Sequence, residues 1–351
     1  MNMERDASHL RQVILDSIEQ IHHQFTVENL PVDKVERYKK EYAGYFDEII
    51  INGMGGSAIP AELLLSGFFQ LSDNKKLPPI FIHRSYGSSK RMRERSLTMA
   101  ISYSGNTEET LSAYESSLQT TESVVAIASG GKLIERAQEL GQPYVVLPKP
   151  SEMFQPRYAT LYILKAMLDV LVIYGLLDSG VAHRLESSLD GLDPADFEEK
   201  GKELAQQVVG KTPVVYATNE FKRAALLWKI KMNENAKTPC FWNYVPELNH
   251  NEMVGFTQPQ AEFQFFCLYN ESEQDTACVR RLQNMNHLFR NRGLSVEEVV
   301  VADYGNHLAN LLAMILVGDW TAYYTALAYD IDPTPVDMVE EFKHKMEDSS
   351  M

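Results

Sequence analysis

Two glycine-rich loops in the first third of the chain combine residue types that bind anions. Residues 53–58 read GMGGSA and residues 102–107 read SYSGNT, and each segment follows an apolar run and precedes a helical pattern. Glycine lets the backbone approach an anion closely, and a helix N-terminus presents unpaired N–H groups with a partial positive charge. Hydroxyl groups supply the further donors that a terminal phosphate needs. The candidate phosphate-binding residues are Gly55, Gly56, Ser57, Ser102, Ser104 and Thr107.

The sequences of these loops also fit two other interpretations. The first loop also fits the dinucleotide fingerprint G-x-G-x-x-[G/A], but the second strand ends in His83-Arg84-Ser85 and offers no carboxylate for a ribose. The residues are also ordinary turn and cap formers, and Thr107 is predicted to cap the helix that follows it. Two such loops at neighbouring strand ends favour a phosphate site, because open α/β sheets bind ligands there.

The elements that position these loops follow from hydrophobic patterning. Short β-branched runs predict strands at 48–52, 79–83, 97–103, 124–129 and 144–147, with helical patterns such as 60–71, 107–119 and 133–140 between them. A second set has strands at 213–218, 263–268 and 296–301 and helices at 223–233, 273–290 and 309–329. The joining segment 157–208 is predicted to be largely helical. Strands that alternate with helices indicate parallel sheets with crossover helices.

We therefore predict an α/β protein of two related lobes, each a parallel β-sheet flanked by helices in a flavodoxin-like three-layer sandwich. The predicted domains are an N-terminal helical segment at 1–42, a phosphate-binding domain at 43–153, and a second α/β domain at 154–351 that includes the connecting helices and the C-terminal helix. A chain of 351 residues is long enough for two domains of ordinary size.

Composition excludes several classes of partner. The formal net charge of -15 disfavours nonspecific nucleic-acid binding, which needs a basic face. No uninterrupted apolar run approaches the ~18–20 residues of a membrane span, so no membrane partner is expected. The N-terminus carries charges throughout and predicts an amphipathic helix, not a signal peptide. Cys240, Cys267 and Cys278 have neither paired nor metal-ligand spacing, which favours a reduced, cytoplasmic protein with no metal site.

GMGGSA followed by SYSGNTEET resembles the sugar isomerase (SIS) domain, and more narrowly the bifunctional phosphoglucose/phosphomannose isomerases of the phosphoglucose isomerase superfamily. The resemblance continues through residues 155–157 (QPR), 231–237 (KMNENAK) and 246–252 (PELNHNE), and so spans most of the chain. It implies two SIS-type lobes and an enzyme that interconverts fructose 6-phosphate with glucose 6-phosphate and mannose 6-phosphate through an enediol. It also implies a homodimer with shared active sites, and no metal or other cofactor.

The resemblance assigns chemistry to residues of the later motifs. Glu234 corresponds to the base that moves a proton between C1 and C2, and a carboxylate serves this purpose once its surroundings tune it. His250 corresponds to the histidine that assists ring opening from a neighbouring subunit, where a neutral imidazole can exchange protons near physiological pH. Arg157 corresponds to the arginine that stabilises negative charge on the enediol oxygens. Without the resemblance, these residues have ordinary interpretations as a helix-surface glutamate, a turn histidine and a salt-bridge arginine.

A lysine near the C-terminus is also implied to assist ring opening. Residues 340–345 offer Lys343 and Lys345, of which Lys343 is favoured because it lies farther from the end of the helix. Thr334, upstream of these lysines, is a further candidate, for a residue that shapes a site accepting both C2 epimers.

Three rival functions are less consistent with the sequence. A noncatalytic SIS module that binds a phosphosugar would not need Glu234 and His250, and no DNA-binding helix-turn-helix is evident. A synthase of glucosamine 6-phosphate would need an N-terminal glutamine-hydrolysing domain with a cysteine nucleophile, for which this sequence offers neither the room nor the cysteine. A nucleotide-dependent dehydrogenase is disfavoured by the missing ribose carboxylate.

Overall fold

The computed structural model describes residues 2–40, 45–67 and 77–349. In chain order, the strands are β1 (Glu48–Gly53), β2 (Ile80–His83), β3 (Ser96–Ile101), β4 (Ser123–Ala128), β5 (Tyr144–Val146), β6 (Thr212–Ala217), β7 (Phe241–Tyr244), β8 (Phe263–Asn270) and β9 (Ser295–Val301). The helices are α1 (Leu10–Leu15), α2 (Val32–Lys40), α3 (Gly55–Gly67), α4 (Glu108–Leu118), α5 (Gly131–Glu139), α6 (Thr160–Ile173), α7 (Val181–Ser188), α8 (Glu198–Val208), α9 (Lys222–Glu234), α10 (Thr276–Arg290), α11 (His307–Ala328) and α12 (Asp337–Ser349).

The chain divides into two compact units, the first of which comprises Asp16–Gly191 with Asn306–Leu308. Its strands pair in parallel in the order β2-β1-β3-β4-β5. Strands β1, β3 and β4 are buried at every position, as expected for central strands of a sheet covered on both faces. Strand order reverses between β1 and β3, and open α/β sheets bind ligands outside the carboxyl ends of the strands at such a reversal.

The second unit comprises Met1–Leu15, Leu192–Gly305 and Ala309–Met351. Its parallel sheet has the order β7-β6-β8-β9, which repeats the order β2-β1-β3-β4 of the first unit. The repeated order and the flanking helices confirm the predicted α/β architecture of two related lobes.

Apolar side chains from strands and helices form the core of each unit. In the first unit, β3 and β4 pack against α4 and α5 through a cluster that includes Ala100, Tyr114, Val124, Ala126 and Leu133. In the second unit, β6 and β8 pack against α10 through a cluster that includes Tyr216, Phe265, Cys267, Leu282 and Phe289. Each sheet is therefore held to its helices by its own buried apolar cluster.

Helix α11 is a core helix with an unusual composition. Of the helices that the structure describes, it is long and apolar enough to cross a membrane by length and composition. Its most apolar window is nevertheless 94% buried within the protein, which is the pattern of a helix inside a globular core.

The predicted strands and helices of the two lobes agree with the structure except at their ends and at one edge. Strand β7 was not predicted. Helix α3 begins at Gly55, not at residue 60, and the predicted residues 68–71 of this helix lie outside the described residues. The predicted domain boundary between residues 42 and 43 also lies outside them, and the domain limits stay a prediction.

The prediction of one amphipathic helix at the N-terminus is wrong, because the described residues of this segment form three short helices, Met3–Arg5, Leu10–Leu15 and Ile18–His22. His9 has φ +55°, and the Asp6 carboxylate accepts the N–H groups of Leu10 and Arg11, so a new helix begins at Leu10.

Candidate active site

The loop after β1 is held against two other segments of the first unit. Ser57 is buried, and its Oγ accepts a hydrogen bond from the backbone N–H of Tyr103 over 3.0 Å. A Cβ on Gly56 would lie 3.0 Å from both the backbone N and the Cα of Arg157, a spacing that real Cβ atoms rarely tolerate. Gly56 therefore permits the close approach of the Arg157 backbone to the N-terminus of α3.

The loop after β3 gathers hydroxyls around a glycine turn. Ser102 Oγ lies 2.9 Å from Thr107 Oγ1 and accepts the Gly105 N–H over 3.1 Å. Gly105 has φ +73°, and a Cβ there would lie 1.8 Å from the carbonyl oxygen of Gly130, so no other residue fits. Ser104 is exposed, and its Oγ accepts the backbone N–H of Asn106 over 3.3 Å. The turn thus holds three hydroxyls at the N-terminus of α4.

The predicted capping role of Thr107 is wrong. Thr107 occupies the N-cap position of α4, but its side chain makes no capping hydrogen bond. The hydroxyl pairs with Ser102 instead. A threonine hydroxyl has several local partners available, and the position of Ser102 in the folded loop determines which one it takes.

A third loop, after β4, supports the second loop and was missed in the sequence. Gly130 and Gly131 both have positive φ, and a Cβ on Gly131 would lie 2.5 Å from the carbonyl oxygen of Ser104. Ser129 Oγ donates to the carbonyl oxygen of Tyr103 over 2.7 Å. A glycine pair directly after a predicted strand was the available signal for this loop. The loop after β4 therefore restricts the backbone of the hydroxyl-bearing turn from one side.

Arg157 lies in a short 3-10 helix (Pro156–Tyr158) and is only 2% exposed. Its Nη1 donates to Gln155 Oε1 over 3.1 Å, and its guanidinium carbon lies 5.8 Å from the centre of the Tyr158 ring. The structure therefore brings Arg157 and both predicted phosphate loops together in the first unit, through Gly56 on one side and through the Ser57–Tyr103 hydrogen bond on the other.

Glu234 is the last residue of α9 and is half-buried. Helix α9 is fixed to α11 at two levels: Trp228 Nε1 donates to the carbonyl oxygen of Met314 over 2.8 Å, and the buried Lys231 Nζ lies 2.9 Å from Asp319 Oδ1. A Cβ on Gly318 would lie 2.4 Å from the Trp228 ring, so this glycine permits the close packing of the two helices. Glu234 thus lies at the end of a helix that these contacts hold against α11.

His250 is exposed at the end of the 3-10 helix Glu247–His250, which follows β7. The neighbouring carboxylates have partners of their own. Glu252 accepts the Tyr216 hydroxyl over 2.6 Å and also the Asn243 amide, and Glu247 accepts the Asn251 amide over 3.1 Å. Burial, together with the hydrogen bond to Glu252, raises the pKa of the Tyr216 hydroxyl. These bonds shape the segment that presents His250 to solvent.

Lys343 lies on α12, where its Nζ bonds to Glu340 Oε1 over 2.6 Å in an exposed ion pair. Lys345 is exposed on the same helix. Both lysines are exposed to solvent on the same helix, so their surroundings do not distinguish them, and Lys345 is the alternative to Lys343. Thr334, in the turn before α12, is buried.

The second sheet has its own pair of strand ends at the reversal of strand order, and the sequence analysis did not single out the residues there. Thr218 follows β6 and Glu273 follows β8, and both are buried. Burial raises the pKa of the Glu273 carboxyl to about 7, against the lowering effect of the Thr218 hydroxyl. The charge of Glu220 adds to the rise. These strand ends therefore carry acidic groups, Glu220 and Glu273, where those of the first sheet carry hydroxyls.

Comparisons with known proteins agree with this geometry. Residues 197–346 match the family model described as the bacterial phospho-glucose isomerase C-terminal SIS domain. A bifunctional phosphoglucose/phosphomannose isomerase of Aquifex aeolicus is 33% identical over 300 residues, which cover 85% of this chain and 90% of the relative. One of Caldicellulosiruptor bescii is 33% identical over 313 residues, covering 86% and 89%. The crystal structure of a hypothetical protein of Thermus thermophilus has the same fold, with a TM-score of 0.69 at 14% identity, covering 99% of this chain and 94% of the other.

Proposed function

Because this chain belongs to the bifunctional phosphoglucose/phosphomannose isomerase family, we propose that it interconverts fructose 6-phosphate with glucose 6-phosphate and mannose 6-phosphate. The protein is then an aldose–ketose isomerase that acts through an enediol. The observation that carries the proposal is the hydrogen-bonded pair of hydroxyl-bearing loops at the strand-order reversal of the first sheet. Doubly wound sheets bind phosphorylated ligands at such reversals.

The 6-phosphate binds to the loops after β1 and β3. The backbone N–H groups of Gly55 and Gly56 lie at the start of α3, where the helix dipole favours an anion. The hydroxyls that surround the phosphate are those of Ser57, Ser102, Ser104 and Thr107, and within the Ser102–Thr107 pair the hydroxyl that accepts the mutual bond keeps its hydrogen for a phosphate oxygen. Because Ser57 Oγ already accepts the Tyr103 N–H, its own hydrogen is available to donate to the phosphate.

Ring opening precedes the proton transfer. A hexose phosphate is mostly cyclic, so a proton must leave the anomeric hydroxyl and another must reach the ring oxygen as the bond between the anomeric carbon and the ring oxygen breaks. His250 and Lys343 supply these proton-transfer groups, and Lys345 is the alternative to Lys343.

Glu234 then removes the proton from C2 of the aldose, and the electron pair of the broken C–H bond forms the C1=C2 double bond. The carbonyl oxygen at C1 gains a proton, which gives the enediol. Return of the proton to C1, with loss of the proton on O2, gives the ketose. Arg157 stabilises the negative charge that develops on the enediol oxygens. Because C2 is planar in the enediol, return of a proton to either face of C2 gives glucose 6-phosphate or mannose 6-phosphate.

The assembly and the compartment are also proposals. We propose a homodimer in which His250 acts in the active site of the neighbouring subunit, and a two-fold arrangement is the usual way to form such reciprocal sites. The exposure of His250 is compatible with such a role. The three cysteines are buried free thiols, which accords with work in the reducing cytoplasm.

The proposed function is tested by assaying all three hexose 6-phosphates with the purified protein. Formation of glucose 6-phosphate from fructose 6-phosphate and from mannose 6-phosphate is followed by a coupled dehydrogenase. Deuterium incorporation at C1 and C2 in heavy water is followed by NMR. Isomerisation with solvent deuterium at these carbons supports the enediol route. Tight binding of the three sugars without any turnover would instead identify a phosphosugar-binding protein.

A further inference from the structure

The backbone just after α9 adopts an unfavourable conformation at a lysine. Lys237 has φ +51°, in the left-handed region that glycine adopts most readily. It lies two residues beyond the C-cap residue Asn235. A strained position occupied by a long, charged side chain suggests that the side chain itself has a role there.

The ammonium group of Lys237 joins two segments of the second unit. Its Nζ donates to the carbonyl oxygens of Glu234 over 2.7 Å and of Asn235 over 3.3 Å. It also donates to the carbonyl oxygen of Pro333 over 3.2 Å. The three N–H groups of an ammonium match these three acceptors.

These acceptors matter because the last four carbonyls of a helix have no partner within the helix. The Glu234 carbonyl is one of them, and Lys237 satisfies it with a charged donor, which the helix dipole also favours. One turn earlier, the Lys231–Asp319 pair already fixes α9. The Lys237 contacts extend that restraint to the last residue of the helix.

The third contact reaches the turn that precedes α12. Pro333 is followed by the buried Thr334, whose N–H donates to Asp332 Oδ1 over 2.9 Å. Lys237 thus connects the residue proposed as the base with the segment that leads to Lys343.

We infer that Lys237 is a positioning residue, which holds the end of α9 against the Pro333–Thr334 turn and so fixes the carboxylate of Glu234 for proton transfer. The inference rests on the proposed function of Glu234. It predicts that loss of the ammonium lowers the rate of the chemical step more than it weakens substrate binding. A misplacement of the base by 1 Å can lower turnover about 10²-fold.

The test compares Lys237→Met and Lys237→Arg with the wild-type protein. We expect Lys237→Met to lower kcat for fructose 6-phosphate by about 10- to 100-fold, with KM changed by less than about 3-fold, because phosphate binding is supplied elsewhere. Lys237→Arg should recover most of kcat, since a guanidinium also donates to several carbonyls. Lys202→Met is the matched control, because it removes a half-buried lysine of α8 that pairs with the exposed Glu199 on the same helix, and it should retain wild-type kcat.

Three results would overturn the inference. Wild-type kcat in Lys237→Met, with only a lower Tm, would make Lys237 a helix cap without effect on the base. An Arg variant as slow as the Met variant would mean that the ammonium takes part in the chemistry directly. A raised KM at unchanged kcat would make it a binding residue. If Lys237→Met does not give a folded protein by circular dichroism, Lys237→Gln replaces it, since its amide still donates to a carbonyl.

Glu234→Gln distinguishes failure of the inference from failure of the proposed function. If Glu234→Gln isomerises normally, the proposed base is wrong and the inference fails with it. If Glu234→Gln is inactive and Lys237→Met is normal, only the inference fails. When both variants are slow, the double variant should be no slower than Glu234→Gln alone, because Lys237 acts through Glu234.

Discussion

The backbone N–H of Tyr103 donates to Ser57 Oγ over 3.0 Å and thereby ties the loop after β1 to the loop after β3. Tyr103 stands between Ser102 and Ser104, so this one bond sets the spacing between the hydroxyl of the first loop and those of the second. The neighbouring strands are in register up to Gly53 and Ile101, which brings both loops to the same edge of the sheet. The two loops therefore form one preorganised group of donors.

Loss of a single hydroxyl from this group should weaken substrate binding. Ser104→Ala removes an exposed hydroxyl with one backbone partner, so the fold should tolerate the change. A hydrogen bond to a charged group contributes about 1.5–3 kcal/mol, and we expect KM for each hexose phosphate to rise roughly 10-fold or more. Steady-state kinetics and competition by inorganic phosphate measure the effect. Ser188→Ala, at the end of α7, is the control and should bind normally. An unchanged KM in Ser104→Ala would remove Ser104 from the phosphate site.

Removal of the basic oxygen at Glu234 should stop proton transfer and leave binding intact. General base catalysis contributes about 10²–10⁴-fold, so kcat of Glu234→Gln should fall at least that far with all three substrates. Deuterium exchange at C1 and C2 should fall in parallel, while equilibrium binding of fructose 6-phosphate is retained. Near-normal turnover in this variant would direct the search to Glu247 and Glu252, of which Glu252 is already bonded to Tyr216 and Asn243.

If His250 assists ring opening, the effect of its removal on the isomerisation rate should depend on whether the substrate is cyclic. His250→Ala should slow isomerisation of cyclic hexose phosphates more than that of an analogue without the 5-hydroxyl, a ketose phosphate that cannot close a furanose ring. Equal loss on both substrates would argue that His250 acts at another step.

Mixing two inactive variants tests whether the active sites are shared between subunits. In a heterodimer of Glu234→Gln and His250→Ala, one site receives both changes and the other receives none. After subunit exchange, random pairing should restore about one quarter of wild-type activity in a dimer with reciprocal sites. No recovery in exchanged dimers, shown to be mixed by mass spectrometry, would place both residues in the same subunit's site.

The buried carboxyl of Glu273 should make stability depend on pH. Its pKa in the folded protein is raised from 4.5 to about 7, so the folded state holds this proton more tightly than the unfolded chain does. The resulting stabilisation is fully present below pH ~4.5 and is lost as pH rises through about 7. Glu273→Gln should therefore raise the free energy of unfolding at pH 8 by about 1–3 kcal/mol and change it little near pH 4.5. Urea unfolding at both pH values measures this, with Glu271→Gln, an exposed residue of the same loop, as control. An equal effect at both pH values would contradict the assigned cause.

The lobes and the two glycine-rich, hydroxyl-bearing loops were predictable because their signals are local. A β-branched run buried on both faces, followed by glycines and a helical pattern, indicates strand, loop and helix without reference to distant residues. Strand β7 escaped prediction although Phe241, Trp242 and Tyr244 favour strands, because the run is only four residues long and no glycine loop or long helical pattern follows it. Its pairing with β6 makes it a strand. The hydroxyls of Ser102 and Thr107 were found by type, but their mutual bond was not.

Residue types near a strand end thus determine which donor groups the two hydroxyl-bearing loops carry, whereas the contacts of these loops with distant segments depend on how the chain packs. Three contacts join segments that are far apart in sequence. They are the approach of Arg157 to Gly56, the packing of the Gly130–Gly131 loop against Ser104, and the hydrogen bond from Lys237 to Pro333. Such contacts arise only when the sheets and helices bury their apolar faces and bring those segments within hydrogen-bond distance. Local patterns specify the elements, and burial of their apolar surfaces specifies which elements meet.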